Sequence, residues 1–243
     1  MGLDVYVGPF SRYYAGDWET IVQQLGREDG LHVEIVRRPP QREGFLKRFL
    51  NFVGGRNRHD DPAAVVNEWM SELSRYAPNG ETFYWVDNPD GEYFTDKPAW
   101  DCYGALVSWA AYDEAAVAPL PPTAAGWEKD PVYQAAAASP QSRYRHLLAN
   151  TEVWLPGDFD PPFSGYSPSG DDAMFGSSIR LVGELESLNE RTWQADPAEF
   201  EQWRSAGAEY GAPLETSAKF GFAVFHHLAT MAVNRRLPMK LDY

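Results

Sequence analysis

The sequence predicts an α+β fold, a small mixed sheet with packed helices and a helix-rich C-terminal half. Short runs of alternating apolar residues lie in the first half, too few for the repeated strand–helix units of a doubly wound sheet. Beyond residue 176, apolar residues recur at three- and four-residue intervals over long stretches, the helical period. The chain of 243 residues is 44% hydrophobic and 23% charged, an ordinary globular balance with enough apolar material for one full core.

The elements follow in order. Residues 3–8 alternate and predict a first strand. Asp17 stands as the cap of a helix in which Trp18, Ile21, Val22 and Leu25 share a face before Gly30. Residues 31–36 resume alternation as a second strand. The segment 61–76 predicts a helix with Asp61 as cap, Pro62 in its first position and Pro78 beyond its end. Residues 82–86 and 92–95 flank Asp87-Asn88-Pro89-Asp90-Gly91 and predict a hairpin. Further on come a short helix over 141–149, a strand over 152–155, a loop over 156–172 and an amphipathic helix over 176–193 carrying Ile179, Leu181, Val182, Leu185 and Leu188. A short helix opens at Asp196-Pro197, and a long one covers 215–236 and stops at Pro238.

A single globular domain, 1–243, is expected. Between residues 117 and 138 the composition turns to alanine and proline, with Pro119, Pro121 and Pro122. That shift admits a division into two lobes, 1–116 and 142–243, joined by a linker over 117–141.

The opening residues Met1-Gly2-Leu3-Asp4-Val5-Tyr6-Val7-Gly8, followed by Arg12-Tyr13-Tyr14 and Gly16-Asp17-Trp18-Glu19, resemble the start of a family of bacterial hypothetical proteins. The resemblance covers about the first tenth of the chain and implies no activity, cofactor or catalytic residue.

Residues 1–6 show no basic stretch leading into an apolar run, which predicts no signal peptide. No uninterrupted apolar run reaches the roughly 18 residues of a membrane span. Cys102, the sole cysteine, has no partner for a disulfide, so a cytoplasmic location is the expectation. With an acid and aromatic rings beside it and no neighbouring base, Cys102 is expected to be inert packing.

The motifs of common nucleotide-binding and hydrolase folds are missing, and neither a cofactor nor a metal is expected. His226 and His227 adjoin on the last helix and point about 100° apart, so they cannot both hold one metal. His226 remains a weak candidate general base, with burial beside other side chains as the ordinary alternative. Asp158, Asp160, Asp171 and Asp172 crowd the 157–172 loop without calcium-loop spacing, and Asp171 or Asp172 fits the cap of the following helix. His59-Asp60 resembles a metal-dependent phosphohydrolase dipeptide, but it runs into the Pro62 helix cap. Nine tryptophans and thirteen tyrosines are mostly core. Trp85, Trp100, Trp127 and Trp154 lie nearest the predicted loops and, with Tyr166, form the candidate binding set.

The net charge is −14, a field that repels nucleic acid from the main body. Against that field, residues 37–58 carry seven bases and Glu43 alone, a net +6 that leaves −20 on the rest of the chain. Their centre, Phe45 to Val53, suits a cationic amphipathic helix that docks on the acidic body or meets a membrane surface. Three function classes are expected in descending order. The first is an acidic protein-binding module, such as an immunity-type inhibitor of a basic partner. The second is a metal-assisted hydrolase or other enzyme with a non-standard site drawn from Asp158, Asp160 and His226. The third is a carbohydrate-binding module using loop tryptophans.

Overall fold

The structure, a computed structural model, describes residues 3–31, 33, 61–78, 83 and 85–243. These residues form an α+β fold in which nine helices surround one mixed sheet of six strands. Strand β1 (Asp4–Val7) lies between β2 (Phe94–Asp96) and β6 (Met239–Asp242), antiparallel to both, with Val5 opposite Asp96 on one side and Leu241 on the other. Next to β6 comes β3 (Val153–Leu155), antiparallel to it and parallel to β5 (Asp172–Ser177). At the edge, β4 (Phe163–Tyr166) pairs antiparallel with β5.

Because successive strand residues point to opposite faces, the sheet sorts its apolar residues into two layers. Leu3, Val5, Val7, Trp154, Met239 and Leu241 join one cluster, and Val153, Leu155, Ala173 and Phe175 join the other. The first cluster takes in helices α4 (Trp100–Ala115), α7 (Ser178–Arg191) and α9 (Leu214–Arg235). The second takes in Phe10 of α1 (Phe10–Ala15) and Val66, Trp69 and Leu73 of α3 (Pro62–Leu73). Strands from 1–116 and from 142–243 therefore share one sheet.

The expected helices at 61–76, 176–193, 196 onward and 215–236 are present, and their caps explain their starts. The Asp61 carboxylate accepts from Ala63 N–H, with Pro62 in the first turn. At α8 (Pro197–Ala206), Asp196 and Glu199 form a reciprocal capping box, each side chain accepting the other's backbone N–H. Helix α2 (Ile21–Glu28) starts three residues later than Asp17 would place it, because Thr20 and Gln23 supply the box there.

Several expectations are corrected. Residues 85–96 do not form a hairpin among the described residues: β2 pairs with β1 instead, and Asp87 accepts from the N–H groups of Phe10 (2.7 Å) and Ser11 (3.0 Å) at the start of α1. The segment 117–141 is no bare linker. A 3₁₀ turn (Trp127–Lys129) and α5 (Pro131–Ala137) fold within it and bury Trp127, Tyr133 and Ala136 in the main core. The loop over 156–172 contains β4 and leads into β5, and Ser177, rather than Asp171 or Asp172, caps α7 by accepting from Arg180 N–H. Of residues 141–149 only α6 (Arg145–Leu148) is helical.

The strand expected over 31–36 lies largely outside the described residues, as do the 37–58 segment and His59-Asp60. No helix among the described residues is long and apolar enough to cross a membrane.

Candidate functional site

A cleft of about 430 Å³ opens between α6, α7 and the turn that follows β3. Each wall follows from local structure. On α7, Arg180, Gly183, Glu184 and Ser187 line the cleft at the i, i+3, i+4, i+7 spacing of one helix face. Adjacent positions of the single turn α6 contribute Arg145 and His146. The turn after β3 carries Asp158 and Asp160, and it is pinned to the start of α7 by two hydroxyls. Ser177 Oγ donates to the Gly157 carbonyl and Ser178 Oγ donates to the Leu155 carbonyl at 3.2 Å.

His146 sits on the floor of the cleft at 2% exposure, its ring edge against Phe159. Its backbone carbonyl accepts from the buried Trp154 indole at 2.7 Å. Nδ1 accepts from Ser177 N–H at 2.9 Å, so the neutral ring carries its proton on Nε2. That Nε2–H is buried and makes no hydrogen bond. Asp160 Oδ1 lies 3.4 Å from it. Burial pushes the imidazole down to about 4, against a smaller upward pull from Asp160. The ring therefore serves as a neutral donor at neutral pH. It cannot act as a base through Nδ1 while the Ser177 bond holds.

Two ion pairs stand over this floor. Arg145 Nη2 meets Asp160 Oδ2 at 2.5 Å, and Arg180 Nε meets Asp158 Oδ1 at 2.6 Å. The second pair is half-exposed, at 50% and 55%, and the first less so. A third guanidinium on the rim, Arg143, reaches away to Asp113 (3.6 Å) and Glu114 (3.4 Å). Below them, the Glu184 carboxyl accepts from His146 N–H and Leu147 N–H, both at 2.9 Å, and so fixes the turn that bears Arg145 and His146. Burial pushes Glu184 up to about 8, while the two N–H bonds and Arg145 pull the other way. Among the described residues no three His, Cys, Asp or Glu side chains converge on one cation position; guanidinium groups take up the aspartates first.

The sequence candidates are distributed unevenly. Asp158 and Asp160 do converge with a histidine, but the histidine is His146. His226 lies elsewhere, stacked on Phe222 and tilted against Phe200, with burial lowering its pKa. Trp85, Trp127 and Trp154 are buried at 7%, 7% and 0%, which corrects their place in the candidate binding set. Trp154 lies within β3 and Trp127 opens the 3₁₀ turn, both in the cluster on one face of the sheet, and Trp85 joins the cluster on the other. Trp100 donates to Glu128 and packs on Trp127 and Tyr243. Tyr166, on edge strand β4, is 43% exposed and lies against Tyr76. Cys102 is buried, and burial raises its thiol to about 11. His146 and the arginine pair escaped the sequence reading. The only available signal was the polar face of the 176–193 helix, which an ordinary solvated face also shows.

Neither family models, nor curated proteins, nor solved structures offer a match to this chain.

Proposed function

We propose that the chain binds a small polar molecule in the cleft between α6, α7 and the turn after β3. The observation that carries this reading is the His146 Nε2–H, which is buried without a hydrogen bond and has only a long contact, 3.4 Å, with Asp160 Oδ1. Leaving a buried donor unsatisfied costs about 1–3 kcal/mol, and such a group on the floor of a concave, charged pocket is placed to meet an acceptor on a ligand. The cleft volume falls in the range of about 300–1,000 Å³ usual for small-molecule sites. A ring held neutral, with its proton towards Asp160 in the cleft wall, holds or polarises an oxygen without exchanging a proton.

The test uses a variant that fills the cleft and leaves the fold alone. A Cβ at Gly183 meets nothing within 4 Å, so Gly183→Leu places a side chain in the opening. Tagged wild-type protein and the variant are each incubated with a metabolite extract, washed and examined by native mass spectrometry. A small molecule retained by the wild type and absent from Gly183→Leu is the expected result. Equal retention by both, or none by either, overturns the reading.

The net charge of −14 favours a second reading, an acidic module that inhibits a basic protein partner. Burial of Trp85, Trp127 and Trp154 removes the aromatic anchors expected for it, and charge alone supports it. Steered association should slow steeply with salt; a pull-down that retains no polypeptide at low ionic strength would end this reading.

A further inference from the structure

The proposal here rests on the cleft being a small-molecule site and concerns what the molecule is. We propose that the cleft takes a free α-amino acid, bound as a zwitterion whose carboxylate is received by Arg145 and His146 Nε2–H and whose ammonium is received by Asp158 and Asp160. Arg143 is engaged by Asp113 and Glu114, and the Glu184 carboxyl is turned to two backbone N–H groups. The charges facing the opening are then two guanidinium groups and two carboxylates, already matched as Arg145–Asp160 and Arg180–Asp158.

A ligand entering such a cleft must exchange partners rather than fill a vacancy. An anion that takes a guanidinium leaves an aspartate unpaired beside it and also enters against the field of a chain carrying −14. A cation that takes an aspartate leaves a guanidinium without its partner. A zwitterion that opens Arg145–Asp160 forms two pairs for the one lost, its carboxylate on Arg145 and its ammonium on Asp160, and leaves neither of those side chains alone.

Asp160 is the pivot of this exchange. It spans Arg145 at 2.5 Å and the His146 Nε2 side at 3.4 Å. If Asp160 turns towards an ammonium, it uncovers both Arg145 and the Nε2–H, and these two donors sit side by side on α6 for one carboxylate. The half-exposed Arg180–Asp158 pair lies on the open side, where Asp158 can offer Oδ2 to the ammonium beside Asp160 while Oδ1 keeps Arg180.

The experiment measures thermal shift and calorimetric binding of the full chain with each of the twenty free L-amino acids, and with inorganic phosphate, succinate and n-butylamine. The best amino acid is then compared with its N-acetylated and carboxamide forms, which lack one charge each. Saturable binding of at least one amino acid is expected, weakened about tenfold or more by either block, as loss of a charge-assisted contact implies. It should vanish in Gly183→Leu, whose melting temperature is expected to be no lower than that of wild type. Binding that survives in Gly183→Leu, or that tolerates either block, overturns the proposal. If phosphate, succinate or butylamine binds in a Gly183→Leu-sensitive way and no amino acid does, the zwitterion is wrong while the cleft remains a small-molecule site. If none of the twenty amino acids binds, the proposal also fails, and the extract experiment separately decides the status of the cleft.

Discussion

Gly183 and Gly221 lie on α7 and α9, two helices packed against each other, yet they mark opposite environments. A Cβ built on Gly221 would lie 2.4 Å from the Cys102 carbonyl oxygen, whereas one built on Gly183 touches nothing within 4 Å. In the first case glycine lets the backbones of α4 and α9 approach, and the core is closed to a single methyl group. In the second it keeps the mouth of a charged cleft clear. The same residue type thus serves packing on one side of the helical layer and access on the other, and only the neighbours distinguish the two.

Mutations sharpen that contrast, and the largest effect belongs to the closed side. Gly221→Ala is expected to lose about 2 kcal/mol or more, because the obstructing atom is backbone and cannot rotate away. Urea denaturation measures it, and a loss below about 0.5 kcal/mol would show that α4 and α9 separate easily.

Next comes Glu184→Gln beneath the cleft. One amide oxygen cannot accept from both His146 N–H and Leu147 N–H, and the amide NH₂ faces the second donor, so a cost of about 1–3 kcal/mol is expected. The pH dependence adds a signature. Glu184 is raised from 4.5 to about 8, so the native state holds a proton that the unfolded chain releases. This contribution is full below about pH 4.5 and is lost as pH rises towards 8. His146 is lowered from 6.5 to about 4, and its contribution runs the other way, full above about 6.5 and lost as pH falls towards 4. Between 4.5 and 6.5 the two slopes oppose. From 6.5 to 8 the His146 contribution is complete and of these two groups only Glu184 still titrates, so Glu184→Gln should remove its downward contribution to the melting temperature there. An unchanged slope in the variant would mean that Glu184 is ionised throughout.

The open side gives smaller effects. Gly183→Ala should stabilise by about 0.5–1 kcal/mol, since the helix gains propensity and no neighbour is displaced; a lower melting temperature would show a hidden contact. The smallest change is expected for Arg180→Ala. Its pair with Asp158 is half-exposed, and such pairs contribute about 1 kcal/mol or less. Stability should move by less than about 0.5 kcal/mol in thermal melts at physiological salt, even if ligand binding is weakened.

The elements legible in the sequence were those whose signals are local. Asp61-Pro62 and Asp196-Pro197 announce α3 and α8 because a cap and a proline act within one turn. The buried residues Leu181, Leu185 and Leu188 of α7 recur with the helical period because its other side is wet. Helix α4 gave no such signal. Residues 102–108, 110 and 111 are all buried, and a helix enclosed on every side has no polar stripe to set its period. Strand β6 was hidden for a related reason: four residues after Pro238 are too few to show alternation, although they form the strand between β1 and β3.

By itself, then, the sequence determined an α+β fold, the helices α3, α7, α8 and α9 and an acidic chain with one basic segment, since composition, caps and short-range periodicity are properties of neighbouring residues. Tertiary structure alone decided that Asp158 and Asp160 meet His146 rather than His226, that Trp85, Trp127 and Trp154 are enclosed, and that Gly183 opens a cleft where Gly221 closes a core. The partner that sets the His146 tautomer is the N–H of Ser177, 31 residues away. A contact between segments that distant depends on how the sheet stacks and where α7 begins, and those are fixed by packing against the rest of the chain.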